Sequence, residues 1–232
     1  MSEHTQIAVV GAGLSGLLAA LTLSHTERGP GRRVTLIDAG KIARMPKDGR
    51  VTALTPSAMR MLARLGVDDL APTPMTAMRV GEGKADTPWQ FELPDRGDEP
   101  LAYNVENEVL RAALLSALER RPVSWHESVR VDAVDEDGLA TLSLSNGNTI
   151  TTDLIIAADG RNSALRRMAG LAVTRHDFEQ HALVTTITHA EPHEGIALQR
   201  FQPVGAVASL PLATTSAGHR SQIVWSDRVD AV

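Results

Sequence analysis

The sequence predicts an α/β fold with a parallel sheet, interleaved with a second, mainly antiparallel β domain. Three observations carry that prediction. A strand, a glycine-rich turn, a helix and a second strand fill residues 6–38, and parallel strands require a helical crossover of this kind. Helical periodicity returns at 105–120, and a further apolar run follows at 153–160. From residue 172 onward nearly every segment reads as strand. The α/β texture thus occupies 1–71 and 102–171, and the β texture 72–101 and 172–232. Two interleaved domains explain that alternation better than two consecutive ones, and 232 residues suffice for a sizeable core.

Each element has a local reason. Residues 6–10 (QIAVV) read as a short buried strand, and Leu14, Leu17, Leu18 and Leu21 lie on one face of a helix over 14–25. Gly29, Pro30 and Gly31 make 26–32 a loop, and RVTLID (33–38) is the next strand, ending on Asp38. Residues 39–51 are polar and irregular. A helix is expected from Pro56 to Leu65, with Thr55 as its N-cap and Gly66 as its stop. APTPM (71–75) reads as a linker, and TAMRVGEG and WQFELP as antiparallel strands. VSWHES, VRVDAV and LATLSLS are strands, with a hairpin turn at Asn146-Gly147. DLIIAADG (153–160) reads as a buried parallel strand, followed by a helix around 163–169. HALVTTITHA, GIALQRF, GAVASLPL and SQIVWS complete the β segments.

Composition narrows the function. A net charge of −5 and a pI of about 5.9 argue against a nucleic-acid partner. There are no cysteines, which removes disulfides, thiolate metal sites and cysteine nucleophiles together and fits a cytoplasmic location. No stretch approaches the roughly 18 unbroken apolar residues of a membrane helix, and MSEHTQ lacks a signal-peptide pattern. His176, His181, His189 and His193 lack metal-ligand spacing, so no metal is expected. Asp132, Asp135, Glu136 and Asp137 read as a solvated acidic edge.

The chemistry sits in GAGLSG, residues 11–16. Gly11 permits a sharp turn, Gly13 removes a side chain that would block a pyrophosphate, and Gly16 lets helix and strand approach. Ala12, Leu14 and Ser15 complete a loop whose backbone N–H groups face the ligand, at the positive end of the helix dipole. Asp38 follows Gly16 by 22 residues at the end of the second strand, where a carboxylate accepts hydrogen bonds from an adenosine ribose. This is a Rossmann-like dinucleotide site, and the carboxylate disfavours a ribose 2′-phosphate there. A ligand-free tight turn and a solvated strand-end acid are the plainer alternatives.

Six segments then occur in order: GAGLSG, Asp38, DGRVTALTPSAMRML (48–62), YNVENEVLRAALLSAL (103–118), DLIIAADGRNSALRRMAG (153–170) and QRFQPVGAVASLPL (199–212). Together they resemble the FAD-dependent hydroxylases of ubiquinone biosynthesis, which are flavin monooxygenases built like p-hydroxybenzoate hydroxylase. The resemblance covers essentially the whole chain. It implies that the α/β segments form the FAD-binding domain and the β segments a substrate domain. It places Arg50 beside the FAD phosphates, where a guanidinium suits a dianion. It places Asp159 and Gly160 near FAD and the nicotinamide phosphates, Arg166 in the same segment, and Asn107 near the ribityl chain. A surface arginine, a strand-ending turn, a helix-surface charge and a helix-start polar residue are the respective structural alternatives. No catalytic residue can be named.

The implied activity is aromatic-ring hydroxylation with NAD(P)H and O2, acting on a polyprenylated phenol. The implied ring pocket lies between the β layer and the FAD domain. The family carries a further Gly-Asp…Ala-Ala-His flavin motif beyond the LPL segment, and this sequence stops before that point. A fragment is therefore expected, inactive by itself and prone to form a homo-oligomer. The protein is expected in the cytoplasm, peripheral to the inner membrane or within a biosynthetic complex. The alternatives are a truncated flavin-domain remnant with a binding or assembly role, another flavoprotein of the same fold such as a prenyl reductase or halogenase, and, weakest, a simple NAD dehydrogenase.

Overall fold

The computed structural model describes residues 2–25, 31–42, 49–83, 89–92, 99–135 and 137–229. Most of the expected 26–32 loop, part of the irregular stretch 39–51, the end of WQFELP and Glu136 lie outside the described residues. In chain order the elements begin β1 (Ser2–Val10), α1 (Leu14–Ser24), β2 (Val34–Asp38), β3 (Val51–Leu54) and α2 (Pro56–Arg64). They continue β4 (Thr73–Met75), β5 (Ala77–Glu82), β6 (Trp89–Glu92), β7 (Ala102–Glu106) and α3 (Asn107–Glu119). Then come β8 (Val123–Glu127), β9 (Val131–Asp135), β10 (Ala140–Leu144), β11 (Thr149–Ala157) and α4 (Ala164–Met168). The last four strands are β12 (Gln180–His189), β13 (Ile196–Gln202), β14 (Gly205–Thr215) and β15 (Gly218–Arg228).

The chain divides into two compact units. The first comprises Met1–Pro46, Leu65–Val67 and Arg111–Thr174. Its six-stranded sheet runs β8-β2-β1-β11-β10-β9. The four strands β8, β2, β1 and β11 are parallel neighbours, and β10 and β9 add an antiparallel edge. Ile7, Leu17, Leu21, Leu36, Ile37, Leu114 and Leu118 are fully buried there, each worth about 1.5–3 kcal/mol relative to exposure. The second unit comprises Lys47–Arg64, Asp68–Leu110 and Arg175–Val232. It holds a six-stranded sheet, β12-β15-β14-β13-β5-β6, and a three-stranded one, β3-β7-β4. A small core of Met75, Ala102 and Ala197 joins the two sheets.

Several local expectations are met. Thr55 Oγ1 accepts from the Ala58 N–H at 3.2 Å, capping α2. Gly66 adopts a left-handed φ of +77° just past the end of α2. The Asn146-Gly147 turn closes the β10–β11 hairpin, with Gly147 at φ +82° and the Asn146 side chain accepting from the Asn148 N–H.

Other expectations require correction. APTPM is not a linker: it contains β4, an edge strand, where Pro74 removes a ladder N–H at little cost. Val51, expected within an irregular stretch, opens β3, because all four residues of β3 pair with Tyr103–Glu106 of β7. The helix expected over 105–120 begins at Asn107, since 102–106 are held between β3 and β4 as β7. The strand expected over 153–160 runs from Thr149 to Ala157 and is not buried throughout; Leu154 is 44% exposed. Residues 149–152 are flanked by both β1 and β10, whereas among the described residues 153–157 pair only with β1. The first strand starts at Ser2, four residues earlier than its apolar core suggests, because β11 continues alongside it.

Candidate functional site

The parallel strands β2, β1 and β11 are neighbours, and their carboxyl ends carry Asp38, the glycine turn and Asp159. Open α/β sheets bind ligands at this edge. A cavity of about 440 Å³ lies there, lined among others by Gly11, Gly13, Asp38, Arg130, Asp159 and Gly160. Five residues expected from the sequence thus meet in one cleft. Arg166 lines an adjoining cavity of about 810 Å³, which also includes Asp159 and Gly160. Arg50 and Asn107 belong to the second unit, where the Asn107 N–H donates to the Arg50 carbonyl at 2.9 Å.

The three glycines have different reasons. Gly11 has φ +104°, and a Cβ there would overlap the Ala158 carbonyl oxygen. A Cβ at Gly16 would overlap the Gly11 carbonyl oxygen, so this glycine lets α1 close onto the turn. Gly13 has φ −68° and ψ 176°, which any residue adopts, and a Cβ there would meet nothing within 4 Å. The fold therefore explains Gly11 and Gly16 and leaves Gly13 as open space lining the cleft. Gly13 is also the N-cap of α1, with no side chain to occupy the free N–H groups, and no acidic residue sits in the first turn. Ala12 is buried, while Leu14 and Ser15 form the first turn of α1.

Asp38 does more than the sequence suggests. Its Oδ2 accepts from the Ala12 N–H at 2.6 Å and its Oδ1 from the Gly40 N–H at 2.7 Å. It ties the glycine loop to the end of β2, and a carboxylate with about four acceptor sites keeps capacity for a ribose hydroxyl.

Arg111 was not singled out by the sequence, and it is 8% exposed. Its guanidinium donates to the Ala12 carbonyl and, at 2.7 Å, to that of Ile42. Burial pulls its pKa below the ordinary arginine value, and the charge of Asp38 pulls it part of the way back. The signal was present: Arg111 stands on the same helical stripe as Leu114 and Leu118, a cation where the pattern calls for an apolar residue.

Asp159 caps α4. Its Oδ2 accepts from the Ala164 N–H at 2.7 Å and the Leu165 N–H at 3.1 Å, and Ser163 Oγ accepts from the Arg166 N–H at 2.9 Å. Among the described residues the Oδ1 atom is buried and accepts no hydrogen bond. Burial pushes the Asp159 pKa up, but the Ser163 hydroxyl and the N–H groups of Leu165 and Ala164 outweigh it, and the net shift is downward. The carboxyl thus ionises more readily in the folded chain than in the unfolded one. Its stabilising contribution is complete above the unfolded value near 4 and is lost as the pH falls through the lower folded value. Asp159→Asn keeps an acceptor but loses the charge, and is expected to cost about 1 kcal/mol at pH 7, the difference between a charge-assisted and a neutral hydrogen bond. The gap to the parent should close on acidification below about pH 4. Melting temperatures of both proteins from pH 7 to pH 3 check this; a gap independent of pH would contradict it.

The histidines on the β segments are engaged otherwise. Both ring nitrogens of His189 are hydrogen-bonded, to the Glu191 carbonyl and Ser221 Oγ, and those of His193 to the Leu212 carbonyl and the Gly195 N–H.

The family described as FAD binding domain matches residues 4–231. The chain belongs to that family. The residues present fit the cofactor: the open space at Gly13, the N-terminus of α1 without a side-chain cap, and the Asp38 carboxylate lie at one cleft of about 440 Å³. Ubiquinone hydroxylase UbiL of Rhodospirillum rubrum is 32% identical over 235 residues, covering 97% of this chain and 52% of that protein. The mitochondrial ubiquinone biosynthesis monooxygenase COQ6 of Danio rerio is 31% identical, covering 97% and 50%. The 3-demethoxyubiquinol 3-hydroxylase of Escherichia coli is 31% identical, covering 97% and 58%. The chain therefore spans about half the length of these relatives, and they meet the resemblance read from its motifs. PqsL of Pseudomonas aeruginosa shares the fold with a TM-score of 0.80 at 19% identity, over 98% of this chain and 62% of that one. The p-nitrophenol 4-monooxygenase PnpA of Pseudomonas putida gives 0.79 at 18% identity, over 99% and 60%.

Proposed function

We propose that this FAD-binding chain is part of an aromatic-ring hydroxylase that uses NAD(P)H and O2 and acts on a polyprenylated phenol of ubiquinone biosynthesis. The observation that carries the proposal is Gly13, a glycine the fold does not need, in a cleft whose family binds FAD. The names of the relatives supply the reaction class.

In this reading, the backbone from Gly11 to Gly16 receives the pyrophosphate and Asp38 the ribose. Arg50, Asn107, Asp159, Gly160 and Arg166 hold the remainder. Bound FAD supplies the redox chemistry that activates oxygen, and the protein supplies position and exclusion of water. The substrate is assigned to the open face of the β12–β15–β14–β13 sheet. Ile187 and Leu198 are exposed there and line, with Arg79, a cavity of about 330 Å³, next to one of about 540 Å³ that includes Arg79, Leu198 and Arg200. That mix suits an apolar ring with a polar substituent. A prenylated substrate resides in lipid, so we place the reaction at a membrane surface or in an assembly there. Among the described residues no helix is long and apolar enough to cross a membrane.

Incubation of the whole protein with NADH or NADPH, O2 and prenylated phenols tests the proposal. Product mass should show one inserted oxygen atom. Failure with every prenylated phenol, alongside good turnover of a small soluble phenol, would overturn the substrate assignment.

A further inference from the structure

We infer that Gln222 is a positioning residue for Arg50, the arginine assigned above to the FAD phosphates, and the inference rests on that assignment. Gln222 lies on β15, between β12 and β14 in the six-stranded sheet, and is 1% exposed. Its two amide atoms are used on one short stretch of chain. Oε1 accepts from the Val51 N–H at 3.1 Å, and Nε2 donates to the Gly49 carbonyl. These are the residues immediately after and before Arg50.

A strand residue in a parallel ladder bonds its neighbour in the same way, through the positions flanking the one opposite. The Gln222 amide thus stands in for a missing strand beside Gly49–Arg50–Val51. The backbone of Arg50 itself is held by another element, since its carbonyl accepts from the Asn107 N–H at 2.9 Å. Asn107 in turn accepts from Thr52 Oγ1 through its Oδ1 at 2.6 Å.

The arrangement has a chemical purpose. A long, flexible side chain grips a dianion best when its backbone is fixed, because less freedom is then lost on binding. Gly49, next to Arg50, has no side chain to pack, and a Cβ there would meet nothing within 4 Å. At neutral pH a side-chain amide supplies one acceptor and one donor in this orientation, where a carboxylate offers acceptors alone. A buried glutamine in a β sheet otherwise has little reason to replace an apolar residue.

The test is a double-substitution cycle in the whole protein, read as the dissociation constant of FAD by flavin fluorescence, not as activity. Arg50→Ala and Gln222→Met are each expected to weaken FAD by about tenfold or more, the scale of a charge-assisted contact. The double variant should be no weaker than Arg50→Ala alone, because Gln222 acts through Arg50. Additive losses would overturn the inference. So would parent affinity in Gln222→Met beside a weakened Arg50→Ala, which leaves the role of Arg50 intact. Parent affinity in Arg50→Ala would overturn the phosphate assignment and the inference with it.

Two measurements guard against a merely misfolded variant. In the FAD-free protein, exchange of the Val51 amide hydrogen should accelerate in Gln222→Met and not in Arg50→Ala; an unchanged Val51 amide in Gln222→Met would overturn the inference. Gln222→Glu should lose FAD affinity at high pH and regain it on acidification, since a protonated carboxyl again offers one acceptor and one donor. An absence of pH rescue would count against the bracket.

Discussion

A Gly13→Val protein is expected to fold like its parent and to bind FAD more than a hundredfold more weakly. The first half follows from geometry. Gly13 has φ −68° and ψ 176°, an extended conformation open to valine, and no heavy atom lies within 4 Å of a Cβ placed there. Helix α1 keeps its first bond, in which the Leu17 N–H donates to the Gly13 carbonyl at 2.9 Å. The second half follows from the cleft. A branched side chain would fill the space above the free N–H groups of α1, where a pyrophosphate approaches the backbone. Losing that approach need cost only about 3 kcal/mol to weaken binding a hundredfold. Gly11→Ala and Gly16→Ala differ in kind, because each Cβ would overlap a backbone oxygen and strain the turn itself. Melting temperature and flavin stoichiometry, measured on the same preparations, separate the two effects. A folded Gly13→Val protein carrying one flavin per chain would remove the assignment of this loop to the pyrophosphate.

The contrast among these glycines shows what a sequence can disclose. The geometry of the 11–16 loop and Asp38 was legible because its pattern is local: a strand, a turn and a helix in succession, with an acid at the next strand end. Asp159 was legible as the end of an apolar run. The cap it makes on α4 was less so, because the N–H groups of Ala164 and Leu165 converge on it only once the chain turns at Gly160, with φ +89°. Strands β3, β4 and β7 escaped because they are three to five residues long and are defined by pairing with one another. Pro74 even argued against β4 until its edge position was known. Gln222 escaped for the strongest version of the same reason: its partners are Gly49 and Val51, more than 170 residues earlier in the chain. Polar residues that act on distant backbone leave no spacing to read.

Arg111 left a partial trace and has the larger structural effect. Replacement by methionine keeps much of the volume and removes the two donors that hold the Ala12 and Ile42 carbonyls. Both residues are buried, so the freed carbonyls find water only if the loop opens. A lost hydrogen bond to a charged group costs about 1.5–3 kcal/mol. Against two such losses stands the relief of no longer burying a cation, which a well-packed apolar residue partly recovers. Among the described residues the Nε–H of Arg111 is itself buried without a partner, which adds to that relief. The balance is expected near 3 kcal/mol of destabilisation, or roughly 6–12 °C in melting temperature for a chain of this size. FAD binding should weaken as well, since Ala12 is anchored from one side by Asp38 and from the other by Arg111. Arg111→Lys discriminates between charge and geometry. An ammonium keeps the attraction to Asp38 but lacks the planar fork that reaches two carbonyls at once. It should recover part of the stability and little of the FAD affinity. Thermal melting and FAD titration of the parent and both variants decide the matter. A methionine variant that melts within about 1 °C of the parent and binds FAD equally well would show that the loop is held by Asp38 and its own turn geometry alone.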